Sequence, residues 1–208
     1  NLLGDAGPGL RRQALRDGMT QIDAVLYARP HADHLNGIDD LRAFCYAKRG
    51  VIPLFGNALM MENIRSRFGY TLLPPGTHWD KPVLEAHTVA GAFSFGGVQV
   101  QPIPVSHGNW EILGWRIGKV AYLTDVSAIS EASYALLAGV ELLLLDCLRM
   151  TPYPSHLGFY QSLEVAQRVG AAETVLIHMT HELAYQTLSE LCPHGVRVGW
   201  DGLRVRVA

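Results

Sequence analysis

The sequence predicts an α/β fold, and two observations lead to that class. Short apolar runs that indicate buried strands alternate with stretches whose apolar residues recur at helical spacing. Several of these runs end in histidine or aspartate, and the run 140–146 is apolar on both faces, as in a central strand covered by helices. Only a fold that gathers strand ends at one edge can bring those polar residues together.

Length and composition favour one compact domain over residues 1–208. With 17 lysines and arginines against 19 aspartates and glutamates, the surface has no broad basic field that would attract nucleic acid. No apolar run is long enough to cross a bilayer, so we expect no membrane partner. Cys45, Cys147 and Cys192 lie in or beside apolar runs, which suits reduced core thiols in a soluble, cytoplasmic protein.

The first half of the chain alternates strands and helices. The start of the chain resembles the second half of a strand running into the turn Asp5-Ala6-Gly7. We expect Leu59, Met60 and Ile64 to face inward from a helix at 57–68, and His78 to be an exposed loop residue. The elements predicted after the first strand are a helix from Pro8 closed by Gly18, a strand at 22–27, a helix at 37–48, a strand at 51–55 and the helix at 57–68.

The second half is predicted to begin with strands between residues 93 and 124. Ser130 is expected to cap a helix, and Ser155 lies near the cap of a later one. The elements expected after residue 124 are the strand 140–146, a helix after Ser155, a strand at 174–178, a helix at 183–191 and strands around 196–198 and 203–205.

The segment His31-Ala32-Asp33-His34 follows the apolar run that begins at Val25, and it could direct several ligands to one point. Neutral imidazole and ionised carboxylate are ligands that zinc, manganese and iron accept. In the alternative interpretation, these histidines are ordinary loop residues and Asp33 caps the next helix. His107 also ends a strand, either as a ligand or as a turn cap, and Asp125 and His178 follow strands in the same way.

The loop resembles the His-x-His-x-Asp-His signature of the metallo-β-lactamase superfamily, and residues 31–42 are similar to its phosphodiesterase branch. That resemblance implies a four-layer αββα sandwich whose N-terminal strands precede Asn1 and are missing from this chain. One position departs from the signature. Arg29 stands where the first histidine is expected, and a guanidinium group has no lone pair for a metal.

The resemblance also implies two divalent metals, zinc or manganese, with a hydroxide between them as the nucleophile. Asp33 and His156 would be catalytic, and His156 would also bind substrate near the leaving group. His181 would bind substrate phosphate or support a metal ligand, or it would be structural. Asp146 either orients a ligand histidine or makes an ordinary hydrogen bond. The implied ligands are His31, His107 and Asp125 for one metal, and Asp33, His34, His178 and the same Asp125 for the other.

The most specific function implied is that of a metal-dependent phosphodiesterase opening a small cyclic phosphate, such as phosphoribosyl 1,2-cyclic phosphate. The first alternative is an RNA-processing nuclease of the same fold, against which the near-neutral charge counts. The second is a degenerate, non-catalytic member, because Arg29 weakens the first metal site. The resemblance further suggests a homodimer acting on a small phosphorylated substrate.

Overall fold

The structure is a computed structural model that describes residues 1–73 and 84–207. Its backbone contacts divide the chain into two compact units, Asn1–Ala90 and Gly91–Ala208. The expectation of a single domain over residues 1–208 stays a prediction. His78 lies outside the described residues.

The first unit is built on a parallel four-stranded sheet with the strand order β1-β2-β3-β4. Its core holds the apolar side chains of the strands together with those of the helices that connect them. The strands are β1 (Leu2–Gly4), β2 (Ala24–Leu26), β3 (Ile52–Gly56) and β4 (Leu84–Thr88), and the helices are α1 (Leu10–Asp17), α2 (Ala32–Leu35), α3 (Leu41–Lys48) and α4 (Ala58–Phe68).

Two details of this unit differ from the prediction. The helix expected from residue 37 begins instead as a 3-10 turn, Ile38–Asp40, before α3 starts. In α4, Met60, Met61 and Ile64 form the buried face. Leu59 is 40% exposed because it lies off the side of the helix that those three residues share, so its inward assignment was wrong.

The second unit is built on a seven-stranded sheet with the order β11-β10-β9-β8-β7-β6-β5. Strands β5 to β8 pair antiparallel, whereas β8 to β11 pair parallel. The strands are β5 (Phe93–Phe95), β6 (Val98–His107), β7 (Trp110–Ile117), β8 (Val120–Leu123), β9 (Leu142–Asp146), β10 (Glu173–Ile177) and β11 (Val196–Val198), and the helices are α5 (Glu131–Leu136), α6 (Phe159–Val169) and α7 (Tyr185–Leu191).

The predicted start of α5 is confirmed, because the Ser130 hydroxyl accepts the backbone N–H of Ser133 at 3.1 Å. The cap of α6 is Gly158 rather than Ser155, which lies three residues earlier. Residues 203–205 form no strand. The α/β class is therefore confirmed, while individual boundaries move by a few residues.

Across residues 1–73 and 84–207, no helix combines the length and the apolar character that crossing a lipid bilayer requires.

Candidate metal centre

The polar residues predicted to bind metal in the second unit lie at one edge of its sheet. Strands β8, β9 and β10 are parallel neighbours, and their pairing sets Ile177 beside Asp146 and Leu123 beside Leu145. Asp125 is the second residue after β8, Asp146 ends β9, and His178 follows β10 directly. Because the carboxyl ends of parallel strands meet at the same edge, these three side chains are brought together.

The backbone is unusual at two of these positions. Asp125 has φ +59° and His178 has φ +62°, both in the left-handed region that residues with a Cβ rarely adopt. Strain of this kind persists only where the surrounding structure holds the residue firmly, and it concentrates at functional sites. Asp125 is also completely buried, at 0% exposure.

The Asp146 carboxylate makes several contacts at this edge of the sheet. Its Oδ1 accepts the backbone N–H of Asp125, and its Oδ2 accepts that of Leu157, each at 3.1 Å. The same carboxylate lies 3.3 Å from Nδ1 of His156 and 3.3 Å from Nδ1 of His178. Asp146 thus fixes the turn that carries Asp125 and contacts two imidazoles, which favours the orienting role over an isolated hydrogen bond.

His107 ends β6, a strand that runs in the same direction as β8, and it reaches the same edge. Its Nδ1 lies 2.8 Å from the Ser155 carbonyl oxygen and 3.0 Å from that of Asp125. Carbonyl oxygens only accept hydrogen bonds, so Nδ1 carries the proton, and Nε2 of the neutral ring keeps a lone pair. This is the tautomer that a metal ligand needs.

His156 is buried between the other imidazoles. Its ring centroid lies 4.9 Å from that of His107 and 5.2 Å from that of His178, the latter pair being stacked at an interplanar angle of 11°. Its Nδ1 is 3.5 Å from Oδ1 of Asp125. The structure therefore groups His107, Asp125, Asp146, His156 and His178 within one unit.

The chemistry of this group fits a divalent cation. Asp125, Asp146, His156 and His178 each offer one oxygen or nitrogen atom, and these atoms all lie within 4.8 Å of one another. Two carboxylates and two imidazoles form a donor set that zinc and manganese both accept. Which of them bind the metal, and how many ions bind, stays a prediction.

The His31 to His34 segment lies in the first unit, where α2 begins after His31. His34 is buried, and its Nδ1 lies 2.7 Å from Oδ2 of Asp5. Asp5 has φ +57° and also accepts the backbone N–H of Ala28 at 2.8 Å. Asp5 therefore orients the His34 ring through Nδ1, while Nε2 of the same ring lies 3.1 Å from Oδ2 of Asp33.

Close backbone packing fixes the position of this turn. A Cβ on Gly7 would lie 2.1 Å from the carbonyl oxygen of Asp33, and a Cβ on Gly37 would lie 2.0 Å from that of Gly7. Only glycine permits such an approach. The turn before α1 and the histidine loop are thus held together by their main chains.

Two predicted residues have other surroundings. The predicted ligand Asp33 has an ion-pair partner, because Nη2 of the buried Arg29 lies 3.2 Å from its Oδ2. His181 is exposed in a turn after β10. Sequence reasoning gave little weight to Asp5 and Asp146, whose roles depend on contacts with residues far away along the chain.

A model of the β-lactamase superfamily domain matches residues 1–179 of the chain. This chain belongs to the metallo-β-lactamase superfamily. Its two sheets and flanking helices match the αββα sandwich of that superfamily, so the predicted fold and family are confirmed. The superfamily consists largely of hydrolases that use divalent metals, in keeping with the Asp and His cluster.

The crystal structure of a diphosphatase from the PhnP family is similar to the whole chain. The two sequences are 34% identical and the two structures match with a TM-score of 0.91, over 100% of this chain and 80% of the diphosphatase chain. Human tRNase Z, short form, matches at 14% identity with a TM-score of 0.76, covering 100% of this chain and 88% of its own. At that identity the likeness shows the fold alone.

A protein of Porphyromonas gingivalis (strain ATCC BAA-308 / W83) named octanoyltransferase is 33% identical over 209 residues. The match covers 97% of this chain but 41% of that protein. The chain thus spans less than half the length of this curated relative, whose name does not say which of its parts transfers the acyl group.

Proposed function

We propose that this metallo-β-lactamase chain is a metal-dependent phosphodiesterase acting on a small phosphorylated substrate. The observation that carries the proposal is the grouping of Asp125, Asp146, His156 and His178 at the ends of parallel strands. The diphosphatase described above, similar over the whole chain, supports chemistry at phosphorus. The absence of a broad basic charge favours a small substrate over a polynucleotide.

In the second unit, the metal would be held by His107, Asp125 and His178. When bound, a divalent cation supplies a water of lowered pKa and neutralises charge on the phosphoryl oxygens. Asp125 brings a fully buried negative charge to this edge of the sheet, and the Asp146 carboxylate keeps its backbone in place. His107 presents Nε2, because Nδ1 donates to two carbonyl oxygens.

His156 is our candidate for the acid that protonates the leaving oxygen. Its Nδ1 lies 3.3 to 3.5 Å from carboxylate oxygens of Asp125 and Asp146, which can only accept, so the proton stays on Nδ1. Nε2, the other ring nitrogen, is then the atom from which His156 would donate a proton to the leaving alkoxide. His156→Ala should therefore slow a substrate with a poor leaving group more than one that releases nitrophenolate.

A substrate panel tests the proposal. Protein loaded with Mn²⁺ or Zn²⁺ is given bis(4-nitrophenyl) phosphate, phosphoribosyl 1,2-cyclic phosphate, a diphosphate diester and an octanoyl thioester. Hydrolysis of the cyclic phosphate above the rate of His156→Ala supports the phosphodiesterase. Turnover of the diphosphate alone would narrow the function to a diphosphatase. Turnover of the thioester alone, or of none, would overturn the proposal.

The non-catalytic alternative is favoured by one observation, the arginine at position 29. Its guanidinium contacts Asp33, so a residue expected to serve a metal and catalysis is already paired. In a degenerate member, bis(4-nitrophenyl) phosphate would not be hydrolysed with any added metal. The RNA-processing alternative has only the fold likeness behind it, and the homodimer stays a prediction.

A further inference from the structure

The loop between β2 and α2 contains a buried permanent cation. The Arg29 side chain is 5% exposed, and its Nη2 lies 3.2 Å from Oδ2 and 3.5 Å from Oδ1 of Asp33. Guanidinium keeps its charge at any physiological pH and offers five N–H donors but no lone pair. A buried charge of this kind needs an opposite charge beside it, and Asp33 supplies one.

The same Asp33 oxygen also faces an imidazole. Nε2 of His34 lies 3.1 Å from Oδ2 of Asp33, while Nδ1 of His34 is held by Asp5. Oδ2 of Asp33 therefore lies between Arg29 Nη2 and His34 Nε2. The permanent cation that contacts the Asp33 carboxylate in this chain is the arginine.

We propose that Arg29 is a fixed cation that takes the place of one of two metal ions, so that each chain binds a single divalent cation. Arg29 removes the ligand that the resemblance places at position 29 for the first metal, and its positive charge would repel a cation held by this loop. Its guanidinium also pairs with the Asp33 carboxylate, which the resemblance gives to the second metal. In the second unit, the proposed ligands His107, Asp125 and His178 keep their donor atoms and hold the one ion. The inference deepens the proposed function and rests on it for the identity of the site.

Metal content is the direct test. Wild type, Arg29→His and Arg12→His are purified without chelator, saturated with Mn²⁺, freed of excess metal and analysed by elemental analysis. Arg12, exposed on α1, provides the same substitution away from the loop. We expect one ion per chain in wild type and in Arg12→His, and two in Arg29→His. Two ions or none in wild type, or one in Arg29→His, would overturn the inference.

A second measurement tests the ion pair without any metal. Thermal midpoints in chelator are compared for wild type, Asp33→Asn, Arg29→His and the double variant. Asp33→Asn should lower the midpoint by a few degrees in wild type, because it removes the half-exposed carboxylate that contacts the buried Arg29 guanidinium, and by much less when residue 29 is histidine. If Asp33→Asn lowered the midpoint equally with arginine and with histidine at position 29, the Arg29 charge would not be stabilised by Asp33, and the inference would be wrong.

These readouts separate the inference from the proposed function, because neither requires turnover. A chain that binds one ion, and two after Arg29→His, but hydrolyses no phosphodiester would refute the function and leave the inference standing. A chain that hydrolyses phosphodiesters with two ions bound would refute the inference alone.

Discussion

Replacing Asp146 by asparagine should destabilise the second unit by an amount that its contacts define. The carboxylate accepts two backbone N–H groups, those of Asp125 and Leu157, each at 3.1 Å. Asparagine has one carbonyl oxygen, so one of these N–H groups would face an amide NH2 group that only donates. A buried donor without an acceptor costs about 1–3 kcal/mol, and the remaining bond loses its charge assistance. We expect a loss of about 2–3 kcal/mol.

For a chain of this size, that loss lowers the thermal midpoint by about 4–12 °C. The midpoint is followed by tryptophan fluorescence in chelator, with Glu62→Gln, an exposed carboxylate on α4, as the control. The control should change stability by less than about 0.5 kcal/mol.

A metal titration far below both midpoints gives a second readout for Asp146→Asn. Mn²⁺ should bind about 10–100-fold more weakly, because Asp146 contacts the Nδ1 atoms of His156 and His178. A variant that melted with wild type and bound Mn²⁺ equally well would refute the supporting role of Asp146.

Three further changes test the first unit. Asp5→Asn should cost about 1–3 kcal/mol in thermal unfolding, because one amide oxygen replaces the two that serve Ala28 N–H and His34 Nδ1; an unchanged midpoint would contradict this. Gly37→Ala should cost about 3 kcal/mol or more, since its Cβ would overlap a backbone oxygen at 2.0 Å, whereas Gly69→Ala meets nothing within 4 Å and should melt with wild type. Burial raises the pKa of the Cys45 thiol, so iodoacetamide should modify it in native protein far more slowly than after unfolding. Equal labelling of native and unfolded protein would refute the burial. Because the Cys45 thiol loses its proton at a lower pH in the unfolded chain than in the folded one, the stability that the buried thiol contributes should be complete below about pH 9 and decline above it.

Some elements could be predicted from the sequence and others could not. The run 140–146 has apolar residues on both faces, a pattern that only a covered central strand needs, and it became β9. Leu59 was misplaced because consecutive apolar residues in α4 leave the direction of its buried side ambiguous until the helix packs. Residues 203–205 alternate as a strand would, but alternation does not reveal whether a partner strand is present.

The candidate site was predictable where a ligand ends a strand. His107, Asp125 and His178 each follow an apolar run, and a parallel sheet gathers such ends. Asp146 was harder to assign, because its role depends on the register that sets it beside Ile177 and on a contact with Leu157. The pairing of Arg29 with Asp33 could not be inferred from spacing alone, since the side chain could equally have pointed to solvent.

The most direct test of the central claim is metal-dependent hydrolysis of bis(4-nitrophenyl) phosphate by wild type and Asp125→Asn, each stripped with chelator and titrated with Mn²⁺. The account predicts that activity returns with metal in wild type and in Glu62→Gln, and that it is at least ~100-fold lower in Asp125→Asn at the same metal concentration. Hydrolysis that persists in chelator, or that survives the loss of Asp125, would contradict it.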